Sequence, residues 1–384
     1  MAQTANERLF DETVRRRLYV LRYAEMAAAT VARLLDEAEK ELVGKIADAL
    51  SRGTNPARLE ALLRSVNEQR DIAYEQVATR AMADLEGLAR AETNWERSLL
   101  SAVAPVDLLL AEVAIEALRA AINTPISGLK LERWLDGIKA AELQKIEQAI
   151  RLGVAQGETI DQMVARIRGT RAAHYQNGVL SISRRNAEAL VRTAVNHVSN
   201  QARELVWHDA GDLILALRWT ATLDGRTSDI CRARDGRFAA PEGRELPEGL
   251  AKLEPQGARP PAHFNCRSVM VALLNGVALA GVRPYIADDR TQRDRQAAFR
   301  AEARQRGVPV ATVRQEWANR VVGQVPAETT YDQWLRRQSA EFQDDVLGPA
   351  RGRLFRGGMT LDRFVDHTGR RVTLDELDRM RPAA

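Results

Sequence analysis

The length, composition and charge of the chain exclude several classes of protein. Its 384 residues suit roughly two or three domains, and a hydrophobic content of 45% is too high for a chain that is disordered throughout. The net charge of +4 is too small by itself to indicate nucleic-acid binding. Two cysteines are fewer than a disulfide-stapled secreted protein usually carries, and the N-terminus lacks the apolar core of a signal peptide. We therefore expect a protein that is made and used in the cytoplasm, without a membrane segment.

Residues 1–125 are predicted to form an N-terminal helical bundle. Apolar residues recur mainly at spacings of three and four over residues 9–50, which is typical of one long amphipathic helix. Asn55 and Pro56 have the character of an N-cap followed by proline at the first helical position, so a second long helix should follow and fold back as an antiparallel hairpin. A further apolar helix is predicted over residues 105–123.

Residues 126–184 are predicted to be a helical connector. One helix should cover residues 137–152 and end at Gly153. Thr159 and Gln162 have the spacing of a capping box, which predicts a short second helix.

Residues 185–275 are predicted to form a small α+β module that is inserted into the helical protein. A helix over residues 183–208 leads into residues 213–224, whose β-branched and aromatic content favours a strand. Asp235 followed by Gly236 is a strong signal for a hairpin turn. A long excursion rich in Pro, Gly and Glu comes next, and a loop then enters a second apolar strand.

The C-terminal region, residues 276–384, is predicted to be helical and rich in arginine. Residues 281–320 contain nine Arg against five acidic residues, which indicates a surface helix or arm, and a short helix should close the chain at residues 374–380. The arginine bias has two interpretations: codon usage in a GC-rich genome, or arginine forks that bind phosphate or carboxylate. The whole chain is thus predicted to be mainly α, with long helical hairpins, a small inserted α+β module and a helical, arginine-rich C-terminal region.

The residues that could carry chemistry are Cys231, His263 and Cys266. His263 and Cys266 are close enough in sequence to grip one ion, and Cys231 could fold back onto them. Thiolate and imidazole are the usual ligands of structural zinc, and Asp224, His208 or a water could complete the set of four. The same pattern suits a metal-free pair of buried cysteines, with His263 fixing the loop through a hydrogen bond. Both interpretations stay open on the sequence.

No residue is singled out as catalytic. A metal enzyme needs an open coordination position and a general base, and a cysteine nucleophile needs a paired base with an orienting group. The sequence has no G-x-x-x-x-G-K phosphate loop and no G-x-G-x-x-G after a strand, which argues against an ATP-driven motor. Zinc is the one cofactor that the residue pattern indicates as a candidate.

The order of residues between Trp219 and Arg267 is distinctive. The block opens with Trp-Thr-Ala-Thr-Leu-Asp-Gly-Arg, passes through Cys231 and an Asp-Gly pair, and closes with Pro-Pro-Ala-His-Phe-Asn-Cys-Arg. In this order and spacing it resembles the Mu F-like domain of phage minor head proteins, which are also called head morphogenesis proteins. The residues that carry the family motif are Trp219, Asp224, Arg226, Gly236, Asn265 and Arg267. Some relatives have an additional cysteine near the position of Cys231, and its absence here leaves one ligand fewer for a zinc site.

The resemblance implies a protein that is present in few copies inside the phage head. It implies binding to the portal protein and to other head proteins during procapsid assembly, DNA packaging or DNA release. Such a protein would be found in the host cytoplasm during assembly and in the head interior of the virion. The arginine-rich C-terminal region adds double-stranded DNA as an expected partner.

Two other functions compete with this interpretation. One is a zinc-dependent enzyme that acts on nucleic acid, centred on Cys231, His263 and Cys266. The other is an ADP-ribosyl-transferring or other toxin function, because Mu F-like domains are sometimes joined to such effectors. The tail is short and has no obvious catalytic constellation, so an assembly protein without enzymatic activity is the preferred prediction.

Overall fold

The computed structural model describes residues 3–53, 55–104, 108–255, 258–290, 292–366 and 368–380. Helices account for most of these residues, and six short strands form two small sheets. The α-helices are α1 (Ala5–Ser51), α2 (Pro56–Val103), α3 (Ile115–Ile122), α4 (Leu131–Gln156), α5 (Ile160–Arg168), α6 (Val179–Asp209), α7 (Asp229–Arg234), α8 (Gln292–Arg306), α9 (Val310–Val321), α10 (Tyr331–Arg336), α11 (Ala340–Leu347), α12 (Pro349–Arg356) and α13 (Leu374–Arg379). The strands are β1 (Ile214–Thr220), β2 (Leu223–Asp224), β3 (Phe238–Ala239), β4 (Val269–Leu274), β5 (Val282–Ile286) and β6 (Val322–Pro326). The prediction of a mainly α protein with a small α+β part is confirmed.

The helices α1 and α2 form the predicted antiparallel hairpin. A capping box around Thr4 starts α1, and α2 starts at Pro56 after the N-cap Asn55. The first residue of each helix is therefore set by local sequence. Residues early in α1 contact residues late in α2, as in the 2.7 Å ion pair between Arg16 and Glu92. The two helices therefore run in opposite directions.

Helix α6 packs against α1, α2 and α4, and the four helices share one hydrophobic core. It also buries polar side chains. Arg203 of α6 forms an ion pair with Glu96 of α2 at 2.7 Å, and Trp207 Nε1 donates to the same carboxylate at 2.6 Å. Breaking a buried pair of this kind leaves a charge without a partner, which is costly, so the pair fixes the register of α6 against α2.

The helix predicted over residues 105–123 is largely absent. Residues 105–107 lie outside the described residues, residues 108–114 are not helical, and only α3 remains. Backbone groups of this segment hydrogen-bond to side chains and not to one another as in a helix. Leu110 O, for example, accepts from Arg97 of α2 at 2.9 Å. An apolar pattern alone could not reveal that competition.

Gly153 does not end α4, as had been predicted. The helix continues through it and ends at Gly157, which adopts a φ of 66°. A Cβ on Gly153 would lie 2.3 Å from the Met163 side chain, so the glycine allows α4 to approach α5 closely.

The first sheet has β1 at its centre, with β3 and β4 antiparallel on either side. All six residues of β4 are buried, which accounts for its continuous apolar sequence. The predicted hairpin at Asp235 and Gly236 is wrong in one respect. These residues do form a turn, but the turn connects α7 to β3, and β2 and α7 lie between the paired strands β1 and β3.

The second sheet adds strands to the C-terminal region, for which the sequence had indicated helices alone. Strand β5 pairs in parallel with β2 and antiparallel with β6. The sequence of β5 includes Arg283 and Pro284, so it has little of the composition of a strand, and its arginine is buried against Asp235. The sheet crosses the boundary predicted at residue 276, and the division into four domains remains a prediction.

The remaining C-terminal elements form two small units. Helices α8 and α9 pack on each other around Phe299, Ala303 and Val313, and α10 to α13 surround a separate core that contains Trp334. The predicted closing helix is confirmed as α13. None of the helices in the described ranges is long and apolar enough to cross a membrane.

Candidate metal centre

The candidate site is built on the loop that precedes β4, and side chains from two distant helices hold its backbone. Arg17 Nε of α1 donates to Arg267 O at 2.9 Å, and Asn196 Nδ2 of α6 donates to Cys266 O at 2.9 Å. Asn265 has a φ of 59°, a left-handed conformation that asparagine adopts more readily than most residues. Burial lowers the pKa of Arg17 to about 10, which leaves its side chain charged at neutral pH. Contacts from far along the chain therefore shape the loop.

The loop brings His263 and Cys266 against Cys231 of α7. Cys231 Sγ lies 3.3 Å from His263 Nε2 and 3.6 Å from Cys266 Sγ, and the three ligand atoms all lie within 4.8 Å of one another. In a tetrahedral zinc site with the usual bond lengths, two sulfurs lie about 3.8 Å apart and a sulfur and a nitrogen about 3.6 Å apart. The observed separations are close to those values, so the three residues can hold a metal ion.

Hydrogen bonds orient the imidazole of His263 for this purpose. Its Nδ1 lies 2.8 Å from Phe264 O, an acceptor, so Nδ1 carries the proton and Nε2 keeps its lone pair in the neutral ring. Nε2 faces Cys231 and also lies 2.6 Å from Ser228 Oγ. The sequence had not indicated Ser228, a serine at the N-cap of a six-residue helix.

The two thiols differ in the pKa that their surroundings impose. The hydrogen bond with Cys231, followed by His263, holds the pKa of Cys266 well below its usual range, although burial opposes this. The pKa of Cys231 is raised well above its usual range by the same hydrogen bond and by burial. One thiolate is thus stabilised, and thiolate is the form that binds metal. Burial opposes protonation of His263, but the hydrogen bond and charge of Cys266 raise the pKa of its imidazole overall.

Asp224 is not a member of this group, contrary to its prediction as a fourth ligand. Its carboxylate forms a two-bonded ion pair with Arg267, at 2.5 and 2.8 Å, and also accepts from Thr227 Oγ1 at 3.1 Å. His208 lies elsewhere too, at the end of α6, where it lines another cavity together with Glu204. In the described part of the chain, the group of Cys, His and acidic residues consists of three members.

The other motif residues have different surroundings. Trp219 is fully buried and belongs to the same hydrophobic core as Cys231 and Cys266. Arg226 and Asn265 are exposed at the edge of the loop. The motif thus supplies a buried anchor, an ion pair and two exposed polar side chains, which are different roles that the sequence could not separate.

Gly236 is the motif residue whose role depends most on backbone conformation. It has a φ of 80°, and a Cβ there would lie 2.6 Å from Thr330 Cγ2. We expect Gly236→Ala to lower the free energy of unfolding by about 1–3 kcal/mol, because both the left-handed conformation and the contact oppose a side chain. Urea denaturation of the two proteins measures the difference.

Gly243→Ala is the matched control for this change. Gly243 has a φ of 73°, but a Cβ there would meet nothing within 4 Å. The difference between the two variants therefore reports the contact with Thr330 alone. Equal losses would show that the close approach between the module and α10 does not matter.

Comparison with known proteins identifies one family for part of the chain. The family model described as phage Mu protein F like protein matches residues 144–271, from within α4 to within β4. The match begins about 40 residues before the block proposed at residue 185, and it includes all three members of the Cys/His group. No curated protein and no solved structure gives a significant match to the chain. The resemblance seen between Trp219 and Arg267 is confirmed, and residues 144–271 form a phage Mu protein F-like region.

Proposed function

We propose that this chain is a minor head protein of a tailed phage, which acts in head morphogenesis by binding the portal protein and other head proteins. The observation that carries the proposal is the Mu F-like match over residues 144–271, because it supports a phage head-related protein. In this proposal the chain is present in the host cytoplasm during assembly and in the head interior of the virion.

The long helices support a role in assembly. Helices α1 and α2 contain 47 and 48 residues, so each is about 70 Å long at the usual rise per residue. An antiparallel pair of that length offers an extended surface to a partner. Affinity capture of the tagged chain from infected cells tests the proposal, with the portal protein expected among the captured proteins. Normal, DNA-filled heads from a phage that lacks the gene would contradict it.

The Cys/His group supports a structural centre more than an enzyme. Cys231 is 1% exposed and Cys266 2% exposed, whereas a catalytic metal needs an open position for water or substrate. We propose zinc as the ion, because two thiolates and an imidazole are its usual ligands in structural sites. Bound there, zinc would tie α7 to the loop before β4.

Double-stranded DNA is proposed as a second partner, through the hairpin of α8 and α9. Many C-terminal arginines are already paired within the chain, such as Arg290 with Asp288 at 2.7 Å. By contrast, Arg300, Arg304 and Arg314 are exposed and form no ion pair within the described residues. Arg304 Nε donates to Arg300 O at 3.2 Å, but the three guanidinium groups have no acidic partner among the described residues, so their charges can act on phosphate groups.

We expect the simultaneous change of Arg300, Arg304 and Arg314 to glutamine to weaken DNA binding and to flatten its salt dependence. Each phosphate contact that is lost should reduce the slope of log K against log salt concentration by roughly 0.9. Fluorescence anisotropy with a labelled duplex, titrated over a range of salt concentrations, measures this slope.

The control removes the same number of charges from arginines that are already paired. Arg336, Arg356 and Arg370 form ion pairs with nearby acidic residues at 2.7 to 2.9 Å. Their replacement by glutamine should leave the slope closer to that of the unchanged chain. Equal slopes for the two triple variants would contradict a DNA contact by α8 and α9.

A further inference from the structure

A cavity of about 520 Å³ lies between α1, α6 and the loop that carries His263 and Cys266. Four arginines line it, Arg17, Arg192, Arg226 and Arg267, and one acidic residue, Glu25. Arg267 is neutralised by its ion pair outside the cavity, and Arg192 is paired with Glu25 at 3.1 Å. The charges of Arg17 and Arg226 remain.

Arg17 is a buried cation without a carboxylate partner. Arg17 is only 8% exposed. Its guanidinium donates to the carbonyl oxygens of Arg267, at 2.9 Å, and Cys266, at 3.5 Å. Among the described residues, its third nitrogen, Nη1, has no hydrogen-bond partner. Two neutral carbonyl groups offset only part of the cost of burying a charge. Burial lowers the pKa of Arg17, and the charges of Cys266 and Glu92 act against this. Neither group accepts a hydrogen bond from Nη1, which is left to bind an anion in the cavity.

The rim of the cavity adds a second cation, a free amide and an aromatic ring. Arg226 is exposed and forms no ion pair within the described ranges, and the side-chain amide of Asn265 beside it is exposed too. Phe264 is 38% exposed, and its ring also lines the cavity. The Phe264 ring makes an edge-to-face contact with Trp134, at 5.1 Å between ring centroids. A supported and accessible ring is a platform on which a nucleobase can stack.

We infer that this cavity binds a nucleotide unit, with its phosphate group between Arg17 and Arg226 and its base against Phe264. Arginine forks match phosphate oxygens, and the exposed amide of Asn265 can hydrogen-bond to a base edge. A volume of about 520 Å³ has room for a nucleoside monophosphate as well as for a phosphate ion. The shared chemistry is a nucleoside monophosphate, which could be free or form the end of a single strand. This site does not involve α8 and α9, and it does not depend on portal binding.

The test is calorimetric titration of the full chain with deoxyadenosine monophosphate and with inorganic phosphate. We expect the nucleotide to bind more tightly than phosphate. Arg226→Gln should weaken nucleotide binding roughly tenfold to a hundredfold, because it removes a charged hydrogen bond at an exposed position that the fold does not need. Phe264→Ala should weaken nucleotide binding roughly fivefold or more while leaving phosphate binding unchanged.

Arg64→Gln is the matched control, because it removes one exposed arginine of α2 that does not line the cavity and forms no ion pair within the described residues, so it should leave the affinity unchanged. Absence of nucleotide binding at millimolar concentration, equal binding of phosphate and nucleotide, or equal effects of the Arg226 and Arg64 changes would each overturn the inference. Oligonucleotides with and without a 5′-phosphate identify the source of the ligand. Binding that requires the 5′-phosphate supports a strand end, and binding of the mononucleotide alone supports a free nucleotide.

Discussion

Replacing Asp235 with alanine should destabilise the chain by about 3–5 kcal/mol, the usual cost of leaving one partner of a buried ion pair alone. The Asp235 carboxylate is completely buried and accepts two hydrogen bonds from Arg283, at 2.9 and 3.0 Å. It also accepts from the backbone N–H groups of Ala221, at 2.7 Å, and Tyr331, at 2.6 Å. Its loss would strand a buried guanidinium and two buried N–H groups. The same carboxylate joins α7, β5 and α10, so one change affects both sheets.

Urea denaturation followed by circular dichroism measures this loss, and Asp362→Ala is the control. Asp362 pairs with Arg237 at 2.9 Å, but the two side chains are 40% and 33% exposed. Exposed pairs of this kind contribute about 0–1 kcal/mol, so the control should unfold close to the unchanged chain. If both variants unfolded at the same urea concentration, the carboxylate of Asp235 would not have the central role that its contacts indicate.

The parts of the fold that the sequence predicted depend on local interactions. The hairpin of α1 and α2 was predictable because Asn55, Pro56 and the spacing of apolar residues act within a few turns of helix. Strand β5 was not predictable, because a remote residue stabilises it: Arg283 forms a buried ion pair with Asp235, which lies 48 positions earlier. The Asp-Gly signal shows both cases at once. It indicated a turn correctly, but it carried no information on the long-range role of the Asp235 side chain.

The candidate site divides in the same way. Residue type alone selected Cys231, His263 and Cys266, because few side chains bind soft metals. Arg17 was missed, since it contacts the site from 249 positions away and looks in sequence like any arginine of an amphipathic helix. Asp224 was wrongly included as a ligand, because the sequence could not show that Arg267 occupies its carboxylate. The sequence does not show which acidic residue pairs with which arginine, and this information was needed to exclude Asp224.

The proposed zinc site gives the second large expected effect. Purified under reducing conditions, the chain should contain about one zinc ion per molecule, and removal of zinc by a chelator should lower the thermal unfolding temperature. A ligand present at 1,000 times its dissociation constant stabilises the folded state by about 4 kcal/mol, so the shift should be readily measured by calorimetry. Elemental analysis of the same sample gives the occupancy. Returning zinc should restore the original transition.

Cys266→Ser tests which residues hold the ion, because a serine hydroxyl keeps the shape of the side chain but is a poor ligand for zinc. The variant should lose the zinc and unfold at the temperature of the chelated chain, with no further shift on chelation. His208→Gln is the control, since His208 lies at the end of α6 and outside the group. It should keep both the zinc and the shift.

Oxidation offers an independent check: the two sulfurs lie 3.6 Å apart, so an added oxidant that joins Cys231 to Cys266 would consume both thiolates and should release the ion. An unchanged transition after chelation, together with a metal-free sample, would leave the hydrogen-bonded, metal-free cluster as the correct description.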